Sequence, residues 1–315
     1  MTSAADRAAI VAGAWTTIRA GSKSFASASR LFDPATRERA WLLYAWCRAC
    51  DDYADGQVLG HKAPLPESGG AFSAIDHIQS QTAFALSGRD TGELPFDALR
   101  IVAAECAIPH AFIRDHLDGF AMDARGWRPR TEEDLLQYCY HVAGAVGCMM
   151  AVLMGVDPAD ADTLDRACDL GLAFQLANIA RDLGEDDAIG RCYLPLDWLA
   201  EFDIPPGEHM RPHYRPRMAI AAKRLSLLAE RHESSARTGA ARLPFRARWA
   251  VLSAANIYGA IGREVAKRGA QAWDRRVVIG KAEKLRHVAA ALKEARFPGR
   301  GGEVSRDGLW TRPRA

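Results

Sequence analysis

Residues Leu170 to Asp187 read LGLAFQLANIARDLGEDD. An apolar run made of good helix formers ends in a group of carboxylates. On a helix, with Asn178 at zero, Asp182 falls at about +40°, Glu185 at about −20°, Asp186 at about +80° and Gln175 at about +60°. Two amides and three acids therefore share one face of an otherwise apolar element. Acids rarely enter buried helices unless something pairs with them.

The same design occurs earlier, in WLLYAWCRACDDYADG, Trp41 to Gly56. Asp51 and Asp55 are four apart, Asp52 and Asp55 three apart, so these also share a face. Like charges at that spacing destabilise a helix by about 0.2–0.5 kcal/mol per pair in water, and by more when sheltered. A divalent cation removes the conflict. Carboxylate and amide oxygens without neighbouring His or Cys ligands suit Mg²⁺, which binds a few carboxylates together with substrate phosphates. Arg48, Arg181 and Arg191 are interleaved with the acids, and guanidinium forks match phosphate oxygens. Either acidic cluster alone is ordinarily a solvated helix end. Two of them, each in an apolar helix with arginines beside it, predict Mg²⁺-bridged binding of two diphosphates.

The 315 residues are 49% hydrophobic and 25% charged, enough for a large core. A net charge of +2 makes no global case for a nucleic-acid partner. The seven cysteines are odd in number and mostly in apolar runs, which fits reduced, buried thiols. Cys47 and Cys50 form a C-x-x-C, but no strand precedes it and no second pair completes a zinc site. His110 and His116 are badly spaced for a shared metal, and there is no H-E-x-x-H, G-x-G-x-x-G or Walker A pattern. The first residues lack a signal-peptide layout. Leu135 to Val156 is uncharged and long enough to span a bilayer. Its polar first third and many small residues fit a central helix of a soluble protein better.

Elsewhere the chain reads as helices, punctuated by Gly and Pro clusters at Gly56–Gly70, Gly88–Pro95, Gly126–Thr131 and Gly155–Asp160. Prolines 195, 205, 206, 212 and 216 mark an irregular stretch from Asp187 to Arg217. There is no fixed-period repeat and no composition break, so residues 1–296 read as one all-α domain. The Gly-, Pro- and Arg-rich end, residues 297–315, reads as a disordered tail.

These motifs resemble the squalene and phytoene synthases, in particular the bacterial phytoene synthases, over about Gly21 to Leu292. GSKSF (Gly21–Phe25), LLYAWCRACDDYAD (Leu42–Asp55), YCYHVAGAVG (Tyr138–Gly147), FQLANIARDLGEDDAIGRCYLP (Phe174–Pro195) and a block from Tyr258 to Arg286 carry the likeness. The resemblance implies an all-α isoprenoid-synthase fold with a central apolar cavity. It implies head-to-head condensation of two geranylgeranyl diphosphates to phytoene, through a cyclopropyl diphosphate, in carotenoid biosynthesis. Asp51, Asp52 and Asp55 on one side, and Asn178, Asp182, Glu185 and Asp186 on the other, become the metal set for Mg²⁺, with Mn²⁺ as the alternative. Arg48, Arg181, Arg191, Lys23, Ser22 and Ser24 would hold diphosphate, with Gln175 and Tyr258 lining the site. Tyr138 would serve the cyclopropyl-forming step. Gly144, Ala145, Gly147 and Ala151 would leave room for long prenyl chains, or serve close helix–helix packing, or both.

No nicotinamide cofactor is expected. A hydrocarbon product implies cytoplasmic protein with peripheral membrane contact, through the Arg-rich tail or an apolar rim, and association with neighbouring carotenoid enzymes. Two alternatives stand: a squalene or dehydrosqualene synthase using farnesyl diphosphate, and a catalytically silent scaffold.

Overall fold

A computed structural model describes residues 3–55, 57–58, 61–62, 71–297 and 304–314. The side chains of Lys23, Ser24 and Asp55, three expected site residues, lie outside that description. The described residues are helical almost throughout, as expected. The exception is a pair of two-residue antiparallel strands, Gln57–Val58 and His61–Lys62. The chain divides into two compact units, residues 1–125 with 149–159, and residues 126–148 with 160–315. Composition carries no sign of this division, because the chain leaves the first unit and returns to it, and both units are built from the same kind of helix.

The first unit holds α1 (Ala4–Gly21), α2 (Lys23–Ala28), α3 (Pro34–Asp55), α4 (Ala71–Leu86), α5 (Leu94–Cys106) and α6 (His110–Ala124). Ser3 caps α1 by accepting from the Asp6 N–H at 3.1 Å. Asp33 does the same for Thr36 ahead of α3, where Pro34 is pre-set for the first turn. α3 buries Leu42, Leu43, Trp46 and Cys50, a helical spacing that makes it the unit's core element. Trp46 donates its indole N–H to Thr82 Oγ1 at 3.3 Å, so the most buried aromatic ring keeps its polar atom satisfied.

The second unit is organised on α9 (Ala161–Ala188). Around it pack α7 (Glu132–Cys139), a π-turn (Tyr140–Gly144), α11 (Arg215–Ala240) and α12 (Phe245–Arg268). α10 (Leu196–Glu201) and α13 (Lys281–Arg296) complete it, and α8 (Ala145–Leu153) continues from the π-turn. Thr131 and Asp160 cap α7 and α9 at the loops that Gly and Pro mark in the sequence. The run Glu132–Leu153 is long and apolar enough to cross a bilayer, but 61% of its most apolar window is buried in protein.

Its glycines serve the close helix packing that the sequence allows alongside room for prenyl chains. A Cβ on Gly144 would lie 2.8 Å from Leu172 Cδ1, and one on Gly147 would lie 2.4 Å from the Ala167 carbonyl oxygen. Reciprocally, a Cβ on Gly171 would lie 2.4 Å from the Ala143 carbonyl oxygen. The glycines let two backbones approach, and the space that they vacate is already filled.

The end of the chain also differs from expectation. Residues 304–314 are not a loose tail but are docked on the second unit through their arginines. Arg306 forks onto Asp169 at 2.8 and 3.0 Å, and Arg314 onto Asp165 at 2.8 and 2.6 Å. Arg312 reaches Asp165 at 2.9 Å and is 8% exposed. A high Arg, Gly and Pro content reads as disorder when the acids that pair with it are about 140 residues away in sequence. These three arginines are paired with buried acids of α9.

Candidate functional site

Each unit carries one acidic cluster. In the first, Asp51 is exposed at the end of α3 and Asp52 is half-buried, its carboxylate taken by Arg48 one turn earlier. Arg48 keeps its Nε buried without a hydrogen-bond partner among the described residues. Tyr44 stands one further turn back on the same face. Burial pushes its hydroxyl up to about 12; Arg48 opposes this, and Asp51 and Asp52 add to it. Gly21, at the end of α1, comes so close that a Cβ there would lie 2.7 Å from the Tyr44 hydroxyl. Ser22 follows it and caps α2, its hydroxyl accepting from the Phe25 N–H at 3.2 Å. The Phe25 ring lies 5.4 Å from Tyr44. The GSKSF stretch thus runs beside the Arg48 end of the first cluster, and Tyr44 is a wall residue that acid spacing alone does not reveal.

In the second cluster, Leu172, Leu176, Ile179 and Leu183 bury the inner face of α9. Asn178, Asp182 and Asp186 are half-buried and Glu185 is exposed. Asn178 Oδ1 is buried and has no hydrogen-bond partner among the described residues. A buried carbonyl oxygen left unmatched costs about 1–3 kcal/mol, so the site holds an acceptor that wants a donor or a cation. Arg181 lays its guanidinium along Asp182, Nε to Oδ1 at 2.7 Å. Tyr258, on α12, stacks its ring on Phe174 at 4.2 Å; burial pushes its hydroxyl up, and Arg181 pulls it back down. Gln175 is half-buried on α9, and the Arg191 N–H closes the helix end on the Asp186 carbonyl at 2.8 Å.

One cation here is absent from the sequence reading. Arg276 reaches Asp182 at 2.9 Å and also pairs with Glu185. Trp273 fixes this segment by donating its indole N–H to the Ala180 carbonyl at 3.0 Å. The segment lies inside the C-terminal block that carries the family likeness, and only the fold brings it to the acids. Arg181 pairs with Asp182, and Arg276 with Asp182 and Glu185, so the crowded carboxylates are offset by two guanidinium groups. The hard oxygen set of Asn178, Asp182, Glu185 and Asp186 fits a magnesium-like cation, with the orphaned Asn178 oxygen as the clearest mark.

Tyr138 is 3% exposed and sandwiched between Trp127, at 5.6 Å, and Tyr193, at 4.8 Å, both rings near parallel to it. It sits two residues before the π-turn. The cysteines are all free; Cys50 is buried and Cys47 half-buried, and burial pushes both thiols well up, which disfavours thiolate chemistry at the C-x-x-C.

Residues 18–283 match the family model described as squalene/phytoene synthase. The chain is 44% identical over 298 residues to the 15-cis-phytoene synthase of Pantoea ananas, covering 94% of this chain and 96% of that one. It is 45% identical over 300 residues to the 15-cis-phytoene synthase of a Paracoccus species, covering 94% and 95%. Among solved structures, a dehydrosqualene synthase in complex with ligand superposes with a TM-score of 0.81 at 26% identity, covering 92% of this chain and 97% of that one.

Proposed function

Since the chain belongs to the squalene/phytoene synthase family, we propose that it joins two geranylgeranyl diphosphates head to head to give phytoene. The observation that carries this is the 44–45% identity to bacterial 15-cis-phytoene synthases over 94% of the chain. Both acidic clusters lie within residues 18–283, which the family model matches.

Asp51, Asp52 and Asp55 would hold metal in one cluster, and Asn178, Asp182, Glu185 and Asp186 in the other. Mg²⁺, with Mn²⁺ as the alternative, supplies positive charge that stabilises a departing diphosphate. Arg48 and Arg181 would present forks to phosphate oxygens, with Arg191 and Ser22 beside them, and the family resemblance adds Lys23 and Ser24. Arg276, resting across Asp182 and Glu185, is placed to exchange those carboxylates for phosphate when the cluster fills. Gln175 and Tyr258 line the second cluster. Loss of the first diphosphate leaves an allylic cation, and the double bond of the second substrate attacks it to form the new carbon–carbon bond. A proton leaves as the cyclopropane closes, and Tyr138 Oη assists its removal, with a diphosphate oxygen as final acceptor. The second diphosphate then departs, the skeleton rearranges, and loss of another proton gives the hydrocarbon. Water must be kept from both cations.

The product is insoluble in water, so we place its release at a membrane surface. Arg306, Arg312 and Arg314 of the tail are paired with buried acids, so we favour an apolar rim for that contact. Ile189, 63% exposed three residues past Asp186, and Val278, 69% exposed two residues past Arg276, are the apolar side chains we assign to that contact. Vesicle flotation tests this: the protein floats with anionic liposomes and the Ile189→Asp, Val278→Asp pair stays at the bottom. Equal flotation of both would refute the rim.

The catalytic reading is tested with purified protein, Mg²⁺ and geranylgeranyl diphosphate. The C40 hydrocarbon forms, and Asp51→Ala and Asp182→Ala each abolish it while melting cooperatively. Undiminished product from either variant would remove that cluster from the mechanism. No product from folded wild type that still gains metal-dependent thermal stability from a diphosphate analogue would favour the scaffold alternative.

A further inference from the structure

We propose that the docked C-terminal segment, residues 304–314, is a positioning element for Tyr138, acting through the π-turn. Its catalytic consequence rests on the role given to Tyr138 above; its structural consequence does not.

Two observations on α9 show that this segment is built into the unit. Asp169 is fully buried and takes Ser235 Oγ at 2.6 Å, His232 Nδ1 at 2.9 Å and both arms of Arg306. Asp165, also buried, pairs with Arg306, Arg312 and Arg314, all from the segment. A buried carboxylate without a partner is strongly destabilising, so α9 is designed for the docked state. Relative to Asn178, Asp169 points about 180° and Asp165 about 140° away, so the segment grips the back of the helix whose front holds the second acidic cluster.

The segment then turns on itself. Leu309 N–H meets the Arg306 carbonyl at 3.0 Å, Gly308 takes a positive φ of 71°, and Arg306 Nη2 donates to the Trp310 carbonyl at 2.9 Å. This turn carries the Trp310 ring to 5.6 Å from Tyr140. Tyr140 opens the π-turn and is itself buried.

A π-turn holds one residue more than an α-turn. Its loss would rotate α7 by about 100° relative to α8. Downstream, Gly144 and Gly147 are locked against α9 by close backbone approach. Upstream, Tyr138 is locked between Trp127 and Tyr193. The π-turn reconciles these two fixed registers, and Trp310 packs against its first residue. Removing Trp310 frees the turn to relax, and the relaxation shifts Tyr138, two residues ahead of the turn, within its stack.

The test uses the full-length protein with 3-fluorotyrosine at position 138, read by fluorine NMR, and steady-state kinetics of the unlabelled protein. Trp310→Ala shifts or broadens the position-138 resonance. It also lowers kcat by roughly tenfold or more, with KM within about twofold of wild type. Trp310→Phe restores both. Arg314→Gln, which leaves Asp165 with Arg306 and Arg312, leaves the resonance in place. If Trp310→Ala does not fold, Trp310→Leu is read the same way. An unmoved resonance in either folded variant overturns the proposal, and so does an equal fall in Trp310→Phe. If wild type makes no C40 product, the functional reading fails while the resonance still decides the role of the segment.

Discussion

Replacing Arg306 by leucine removes the bidentate partner of a carboxylate that has no contact with solvent. Asp169 is 0% exposed and the Arg306 side chain 13% exposed. Breaking such a pair costs about 3–5 kcal/mol, because the remaining charge stays buried. His232 and Ser235 still donate to Asp169, which places the expected loss near the lower end, about 3 kcal/mol. For domains of 150–250 residues, 1 kcal/mol moves Tm by about 2–4 °C, so the variant should melt about 6–12 °C lower at pH 7. The pH dependence follows from the same contacts. Burial raises the Asp169 pKa, but His232, Arg306 and Ser235 outweigh it and hold the group below the ordinary 3.8. A depressed folded pKa contributes stability that is present above the unfolded value and lost as pH falls through the folded one. In Arg306→Leu the burial effect is less opposed, so Asp169 takes up a proton at higher pH and the variant is relieved of its buried charge sooner. The gap between the two proteins should therefore be widest near neutrality and narrow as pH falls toward and below 4. Adding Asp169→Asn to the variant should recover part of the loss at pH 7. A Tm difference below about 2 °C, equal at pH 7 and pH 4, would refute the docked segment and the reasoning built on it.

Three further outcomes follow from the site and the helix seam. Asn178→Leu replaces an unsatisfied acceptor, so the metal-free Tm should hold or rise, while the metal-dependent stabilisation by a non-reactive diphosphate analogue is lost; a fall in the metal-free Tm would contradict the orphaned oxygen. Gly171→Ala places a methyl 2.4 Å from a backbone oxygen and should cost about 1–3 kcal/mol or more in a melt, with product length unchanged; a shorter product from a stable variant would return these glycines to the prenyl cavity. Because burial raises both thiols, Cys47 and Cys50 should resist iodoacetamide at pH 8 in the native protein, and the double change to alanine should retain product formation; rapid alkylation followed by inactivation would contradict this.

What the sequence makes legible is local. Leucines and tryptophans at helical spacing fix α3 and α9, and i,i+3 and i,i+4 arithmetic puts each set of acids on one face. Gly and Pro clusters locate the loops, because they act through a residue's own φ and ψ. What it hides is long-range. Arg276 stands out among forty-one basic residues only once Trp273 has pinned its loop to α9. Arg306 and Arg314 resemble a disordered tail until Asp165 and Asp169 are seen to be buried and in need of partners. Gly144 and Gly147 fit an open cavity and a tight seam equally well as sequence; only the Ala167 carbonyl decides between them. Tyr138 enters the sequence reading only through the family resemblance, and its sandwich with Trp127 and Tyr193 joins three separate segments.

The central claim is that this chain condenses two C20 diphosphates. The most direct measurement is a competition: purified protein with Mg²⁺ and an equimolar mixture of geranylgeranyl and farnesyl diphosphates, without NADPH, with the hydrocarbons resolved by chromatography and mass spectrometry. The account predicts a C40 product in excess, lost on chelation and restored by added Mg²⁺. A C30 product in excess would contradict it and assign the chain to farnesyl diphosphate.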